Sequence, residues 1–194
     1  MEESKKTVSK ASKKKSVFAV RDVAFIALCV ALISVCSFIT VPAPVPFTLQ
    51  TFGVFFALFF LGGKRGTVTV TCYVLLGAFG APIFSGFKGG IGALAGATGG
   101  YIAGFFLLAV SFWAATKIFG EKNFVKVIAA VAGLILLYVF GTLWFVFVTS
   151  KTQTVTVKYA LFACVLPFVP FDAVKLIFAY ITGNRLKKRF PTVS

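Results

Sequence analysis

Histidine is absent from this chain, and acidic residues are scarce, five in 194 positions. The first absence removes the commonest proton shuttle and metal ligand. The second leaves too few carboxylates for paired acid–base chemistry. No zinc signature, Gly-x-Ser-x-Gly elbow or Gly-x-x-x-x-Gly-Lys-Ser/Thr phosphate loop occurs either. The four cysteines, Cys29, Cys36, Cys72 and Cys164, sit in apolar runs without Cys-x-x-Cys spacing, so neither a disulfide nor a metal centre is expected. Together these gaps argue against an enzyme and against a bound cofactor.

What the chain has in excess is apolar surface. It is 59% hydrophobic and 13% charged, with a mean hydropathy of +0.97; soluble domains run at roughly 45–50% and about 25%. Runs long enough to cross a bilayer recur, and they are solid rather than alternating, which predicts an all-α integral membrane protein and not a barrel. The 25 phenylalanines are spread through these runs as lipid-facing and core bulk. A net charge of +15 on a soluble domain would suggest nucleic acid. Here the basic residues flank apolar runs, so no nucleic-acid partner is expected; the partner is the lipid bilayer.

Residues 1–20, with Lys5, Lys6, Lys10, Lys13, Lys14 and Lys15, read as a basic, disordered cytoplasmic tail drawn to anionic lipid. Residues 21–190 read as a six-helix membrane domain and 191–194 as a C-terminal tail. The run Val23–Val41 is longer than the apolar region of a signal peptide, so it is expected as an uncleaved first helix. Pro42, Pro44 and Pro46 then predict an extended connector. A second helix is expected over Leu49–Leu61, a tight basic turn over Gly62–Gly66, and a third helix over Thr67–Phe79. The glycine-rich stretch 82–97 predicts a re-entrant or surface loop. Gly92, Gly96, Gly100 and Gly104 keep the four-residue spacing of close helix crossings. Helices over Thr98–Ile118 and Val125–Val148 follow, then a polar segment at 149–158 and a short apolar piece, Tyr159–Leu166. The sixth helix starts near Pro170 and ends before Arg185.

Six helices put both termini on one side. That side collects sixteen basic residues against three on the other, with Lys175 left inside the last helix. The positive-inside rule makes both termini cytoplasmic. Asp172 is the one acid inside a long apolar run, and Lys175 lies three residues on, on the same helical face. Ionisable groups at membrane depth are costly and usually mark a ligand site; a self-neutralising internal pair is the plainer alternative. The prolines, the glycine-rich loop and the start of the last helix share the outer side, so a lidded pocket is expected on the extracellular face.

Several motifs occur in order: Val45-Pro46-Phe47-Thr48-Leu49-Gln50-Thr51, Leu61-Gly62-Gly63-Lys64-Arg65-Gly66 and Gly80-Ala81-Pro82-Ile83-Phe84-Ser85-Gly86. Thr98-Gly99-Gly100-Tyr101, Gly141-Thr142-Leu143-Trp144 and Pro167-Phe168-Val169-Pro170-Phe171-Asp172-Ala173-Val174-Lys175 follow. In order and spacing, over roughly residues 20–190, the chain resembles the biotin transporter BioY family. The resemblance implies the biotin-binding S component of an energy-coupling-factor transporter. It also implies a membrane coupling subunit and two ABC ATPase subunits as partners. Biotin offers two ureido N–H donors, an apolar ring and a carboxylate. The resemblance and this chemistry assign Asp172 to the ureido and Lys175 to the carboxylate. Gln50, Ser85, Thr98 and Tyr101 are then polar neighbours, and Phe47, Phe84 and Trp144 apolar walls. Ala27 and Ala31 would face the coupling subunit. Two positions depart from the family's pattern: Lys88 stands where relatives often carry a small polar or amide residue, and Ile102 where some carry arginine. A basic residue moved into the loop would assist with the carboxylate. A self-sufficient cation-coupled transporter and a ligand-free membrane scaffold remain as alternatives.

Overall fold

The computed structural model describes residues 20–42, 45–150 and 156–190. The expected basic tail up to position 19, Pro44, Lys151 and the tail at 191–194 lie outside the described residues. The elements are α1 (Val20–Phe38), β1 (Thr40–Val41), β2 (Phe47–Thr48), α2 (Gln50–Ala78) and α3 (Ile91–Ala95). They continue with α4 (Gly99–Phe119), α5 (Asn123–Thr149), α6 (Val157–Cys164) and α7 (Phe168–Arg189). Four of them, α1, α2, α4 and α5, are long and apolar enough to cross a membrane.

The centre of the bundle is α2. Of its most apolar window 78% is buried, against 33–39% for the other three long apolar helices, so α2 is the element on which the rest pack. It packs against α1, α4 and α7, and α4 packs along α5. Phe55, Leu58, Phe59, Leu108 and Phe112 are fully buried between these helices. The Phe59 ring meets Phe112 and Tyr180 edge-on, at 5.7 and 5.4 Å between centroids. Large apolar side chains cover the outside, among them Val35, Ile135, Phe147 and Phe178. On a soluble protein such a surface would be a liability; here it faces lipid.

A run of 29 helical residues is longer than one crossing, and α2 is in fact folded back on itself. The break is at Gly62, whose φ of +80° and ψ of 176° lie in a region essentially reserved for glycine. Gln50 Nε2 donates to the Tyr73 hydroxyl at 2.6 Å, although on a straight helix these residues would stand about 35 Å apart. Gly66 likewise lies against Leu58. The expected five-residue turn is thus a single-residue reversal, with Gly63–Gly66 already helical, because the small residues let the second arm start directly against the first.

Other boundaries also differ from expectation. The proline connector is closed by a two-stranded antiparallel ribbon pairing Thr40 with Thr48 and Val41 with Phe47, so the fold is not strictly all-α. Pro42 and Pro46 flank the paired residues, where no ladder donor is needed. The last helix begins two residues before Pro170 and runs on through Arg185 to Arg189, since basic residues suit a helix C-terminus. The glycine-rich stretch holds the short helix α3, and the piece before α7 is helical as α6. The glycine series divides: Gly100 and Gly104 lie against Trp144 and Leu137 of α5, whereas Gly92 faces open space.

One end of the bundle gathers charge. Asp22, buried at the start of α1 and not singled out from the sequence, pairs with Arg65 at 3.1 Å beside the α2 reversal. Glu121, in the α4–α5 turn, pairs with both Lys126 and Lys187 at 3.1 Å. Arg21 lies over the rings of Phe25 and Phe190. The start of α1 and the end of α7 therefore share this end.

Two outcomes follow for the protein in detergent. Gly62→Ala forces a side chain into the strained reversal and should cost about 1–3 kcal/mol, read as a lowered unfolding midpoint, while Gly92→Ala should leave it unchanged. Glu121 is partly buried, which pushes its pKa up, but the hydrogen bonds and charges of Lys187 and Lys126 outweigh this and hold it below the usual carboxylate range. Its contribution is therefore present above the ordinary carboxylate pKa and lost as pH falls through the folded value. A pH series of unfolding midpoints should show Glu121→Gln converging on wild type at low pH. The gap at neutral pH should stay below about 1 kcal/mol for a carboxylate this exposed.

Candidate functional site

At the opposite end from the charged cluster, a cavity of ≈ 100 Å³ opens between the ribbon and the helices. Each wall comes from a segment whose local structure is set by its sequence. The ribbon side supplies Val45, Pro46, Phe47 and Thr48, and the start of α2 adds Gln50 and Thr51. The loop after α2 supplies Phe84, Ser85 and Lys88, held by Phe84 N–H donating to the Lys88 carbonyl at 3.0 Å. Ala93 of α3, Thr98 and then Tyr101, Ile102 and Phe105 of α4 form the next wall. Leu137 and Tyr138 of α5 and Phe168, Asp172 and Lys175 of α7 close it. Pro170 falls in the first turn of α7, where a missing N–H costs nothing, so the helix can begin at the cavity edge.

Asp172 and Lys175 are both buried, at 4% and 6% exposure, so neither charge is screened by water. Lys175 Nζ donates to Asp172 Oδ1 at 2.7 Å and to the Thr48 carbonyl of β2 at 2.7 Å. The same ammonium sits 3.9 Å from the centroid of the Phe47 ring, a cation–π contact. An ammonium has three donors, and these three contacts occupy them. Asp172 Oδ2 accepts a short hydrogen bond from the Tyr138 hydroxyl. A carboxylate offers about four lone-pair sites, so Asp172 keeps acceptor capacity toward the cavity.

The remaining lining is held by its own network. Tyr73, which receives the Gln50 amide, donates to the Ile83 carbonyl at 2.9 Å, and Ser37 donates to the same oxygen at 2.6 Å. Thr40 and Ser85 hydroxyls meet at 3.1 Å, as do those of Tyr101 and Thr142. Phe47 stacks on Phe168 at 5.5 Å and meets Phe171 edge-on at 5.1 Å, so the ribbon is clamped onto α7. The Lys88 side chain, exposed at the rim, has no hydrogen bond or ion pair among the described residues.

Of the ten ligand-site residues expected from the sequence, Asp172, Lys175, Lys88, Gln50, Phe47, Phe84, Ser85, Thr98 and Tyr101 come together around this cavity. Trp144 does not line it. Its indole N–H donates to the Gly96 carbonyl at 3.0 Å and its Cβ closes on Gly100, so it braces the α3–α4 corner from behind. Tyr138, the lining residue that meets Asp172, is among those that sequence reasoning passed over, with Thr48, Thr51 and Phe168. The available signal was a phenol in an apolar helix, a group that needs a partner when buried, with Asp172 the obvious acceptor. Ala27 and Ala31 are exposed on α1, far along the helix from the cavity lining.

Comparison with known proteins gives a single answer. The BioY family model matches residues 6–192. The biotin transporter BioY of Thermotoga maritima is 42% identical over 160 residues, 81% of this chain and 90% of that protein. The probable biotin transporter BioY of Pyrococcus horikoshii is 38% identical over 169 residues, 86% of this chain and 96% of that protein. The fold matches the crystal structure of the S-component for biotin from an ECF-type ABC transporter with a TM-score of 0.77 at 27% identity. That match covers 87% of this chain and 92% of the other. With a family model spanning almost its whole length and relatives this similar across most of theirs, the chain belongs to the BioY family.

Proposed function

We propose that this protein is the biotin-binding subunit of an energy-coupling-factor, ABC-type uptake transporter. The observation that carries the proposal is the buried Asp172–Lys175 pair facing a mostly apolar cavity, with acceptor capacity left on Asp172. A cavity that is mostly apolar with a few fixed polar groups suits a small ligand with one polar end. Biotin's two ureido N–H groups match the open acceptor sites of Asp172, and its sulfur-containing ring matches Phe47, Phe84 and Phe168.

The pair's geometry bears on the other end of the ligand. Asp172 and Lys175 are 2.7 Å apart, whereas biotin's ureido and carboxylate lie at opposite ends of the molecule. With its donors already engaged, Lys175 is better suited to fix Asp172 than to take the carboxylate. Lys88, unpaired at the rim, is then the cation for the carboxylate. Gln50, Ser85, Thr98 and Tyr101 complete the polar lining. Sites for drug-sized ligands hold about 300 Å³ or more, so loading requires a wall to give. The short helix α3 has no buried residue, and we take it as the wall that gives.

Counting the two arms of α2 separately, and adding α7 with its charges turned inward, gives six crossings. We place both termini and the charged end in the cytoplasm of a prokaryotic cell, by the positive-inside rule, and the cavity on the extracellular side of the plasma membrane. No nucleotide loop is present in the sequence, so ATP hydrolysis falls to partners: a membrane coupling subunit meeting Ala27 and Ala31 on α1, and two ABC ATPases. A cation-coupled carrier would need Asp172 as its proton site. Against that, both Asp172 oxygens are already engaged, one by the Lys175 ammonium at 2.7 Å and the other by the Tyr138 hydroxyl.

Biotin binding to the purified protein tests the site directly. Asp172→Asn should weaken binding by about 30-fold or more, as expected for a desolvated charged contact worth roughly 2–5 kcal/mol. Tyr138→Phe should weaken it less; near-wild-type affinity in both variants would remove the assignment. Lys88→Ala should lower affinity for biotin about tenfold, in the range of one charge-assisted hydrogen bond, yet leave an uncharged biotin amide unaffected. Equal losses for acid and amide would return the carboxylate to another residue.

A further inference from the structure

The end of the bundle remote from the cavity has a second concavity. A groove of ≈ 510 Å³ lies between the start of α5 and the end of α7, lined by Asn123, Tyr180, Asn184, Arg185, Lys187 and Lys188. Three of these are cations. Lys187 shares Glu121 with Lys126, so two ammonium groups divide one carboxylate. Arg185 and Lys188 have no ion-pair partner among the described residues. The groove therefore carries uncompensated positive charge.

Two further features want an acceptor there. The Asn184 amide nitrogen is buried and has no hydrogen-bond partner, an uncommon condition for a native polar group. Asn123 is the first residue of α5, whose N-terminus has no side-chain cap and presents free backbone N–H groups and the positive end of the helix dipole. The groove's height on the bundle matters as well. The outer face of α7 exposes Val174, Ile177, Phe178 and Ile181, and directly beyond Ile181 the sequence turns polar with Asn184 and Arg185. Phe124 and Ile128 do the same at the start of α5. The groove thus sits where a lipid-facing surface gives way to charge, with Tyr180 and Ile181 on its apolar side, as is usual at a membrane interface.

We propose that this groove binds the phosphate of an anionic phospholipid headgroup, held by Arg185, Lys188 and the Asn184 amide, with the glycerol and upper acyl chain against Tyr180 and Ile181. Such a lipid supplies what the groove lacks, a negative charge with acceptor oxygens, and arrives at the right depth from the surrounding bilayer. Of two sources for a phosphate, lipid or aqueous phosphate, the apolar side of the groove favours lipid.

The test uses the full chain in neutral detergent. Phosphatidylglycerol, phosphatidylcholine and inorganic phosphate are titrated separately, with the unfolding midpoint and bound-lipid stoichiometry by native mass spectrometry as readouts. Phosphatidylglycerol should raise the midpoint saturably and be retained on the protein, and phosphatidylcholine should not. Arg185→Gln/Lys188→Gln should weaken phosphatidylglycerol binding at least tenfold, while biotin affinity, measured on the same samples, stays at wild-type value. Equal effects of the two lipids, or an unchanged phosphatidylglycerol response in the double variant, would overturn the proposal. Inorganic phosphate reproducing the full shift would overturn the assignment to lipid. A loss of biotin binding in wild type would bear on the transport reading and leave these lipid arms intact.

Discussion

The contact on which the cavity end of the molecule depends is the buried pair of Asp172 and Lys175. Neither charge could be left there alone, because an unpaired buried ion costs several kcal/mol. The pair is also not merely self-neutralising. Through its second oxygen Asp172 takes hold of Tyr138 on α5, and through its remaining donors Lys175 takes hold of the Thr48 carbonyl and the Phe47 ring on the ribbon. Two charges on one turn of α7 thus fasten three separate segments around one space. A bilayer gives little driving force for helix association beyond packing and polar contacts, so such a junction fixes the cavity's shape more firmly than apolar contacts there would.

Binding and architecture are for this reason hard to separate at the site. Tyr73 belongs to no expected ligand contact, yet it links Gln50 at the start of α2 to Ile83 in the following loop. That link exists because the reversal at Gly62 returns the second arm of α2 alongside the first. The distant glycine turn and the cavity wall are two consequences of one folded-back helix.

Much of this was legible in the sequence, and the reasons differ by residue. The membrane class followed from solid apolar runs, and Asp172 and Lys175 stood out because charge is rare inside them. Phe47, Gln50, Phe84, Ser85, Thr98 and Tyr101 were named through ordered motifs rather than through periodicity. What stayed hidden depended on the chain meeting itself at long range. Tyr138 looked like one more aromatic in an apolar helix until α7 brought a carboxylate to it. The ribbon was unreadable because paired strands of two residues leave no period to detect, and three alternating prolines argue for an isolated extended segment. Trp144 was misjudged as a wall because a motif gives position along a helix and not which side of it a neighbouring glycine will occupy.

The two ends of the bundle solve opposite electrostatic problems, and this gives the molecule its polarity. Deep in the cavity, charge is enclosed, one acid matched to one base, so that the pair offers directional acceptor capacity rather than net field, with Lys88 set apart at the rim. At the other end, charge is open and in excess: Asp22 and Glu121 answer only part of the surrounding arginines and lysines. An enclosed neutral pair selects by hydrogen-bond geometry, as a small polar ligand demands. An open basic belt acts by field, as an anionic membrane surface demands. Exchanging the two arrangements would defeat both. Lys175 without Asp172 would turn the floor of the cavity into a general anion site, and a neutralised belt would lose its attraction to a membrane surface.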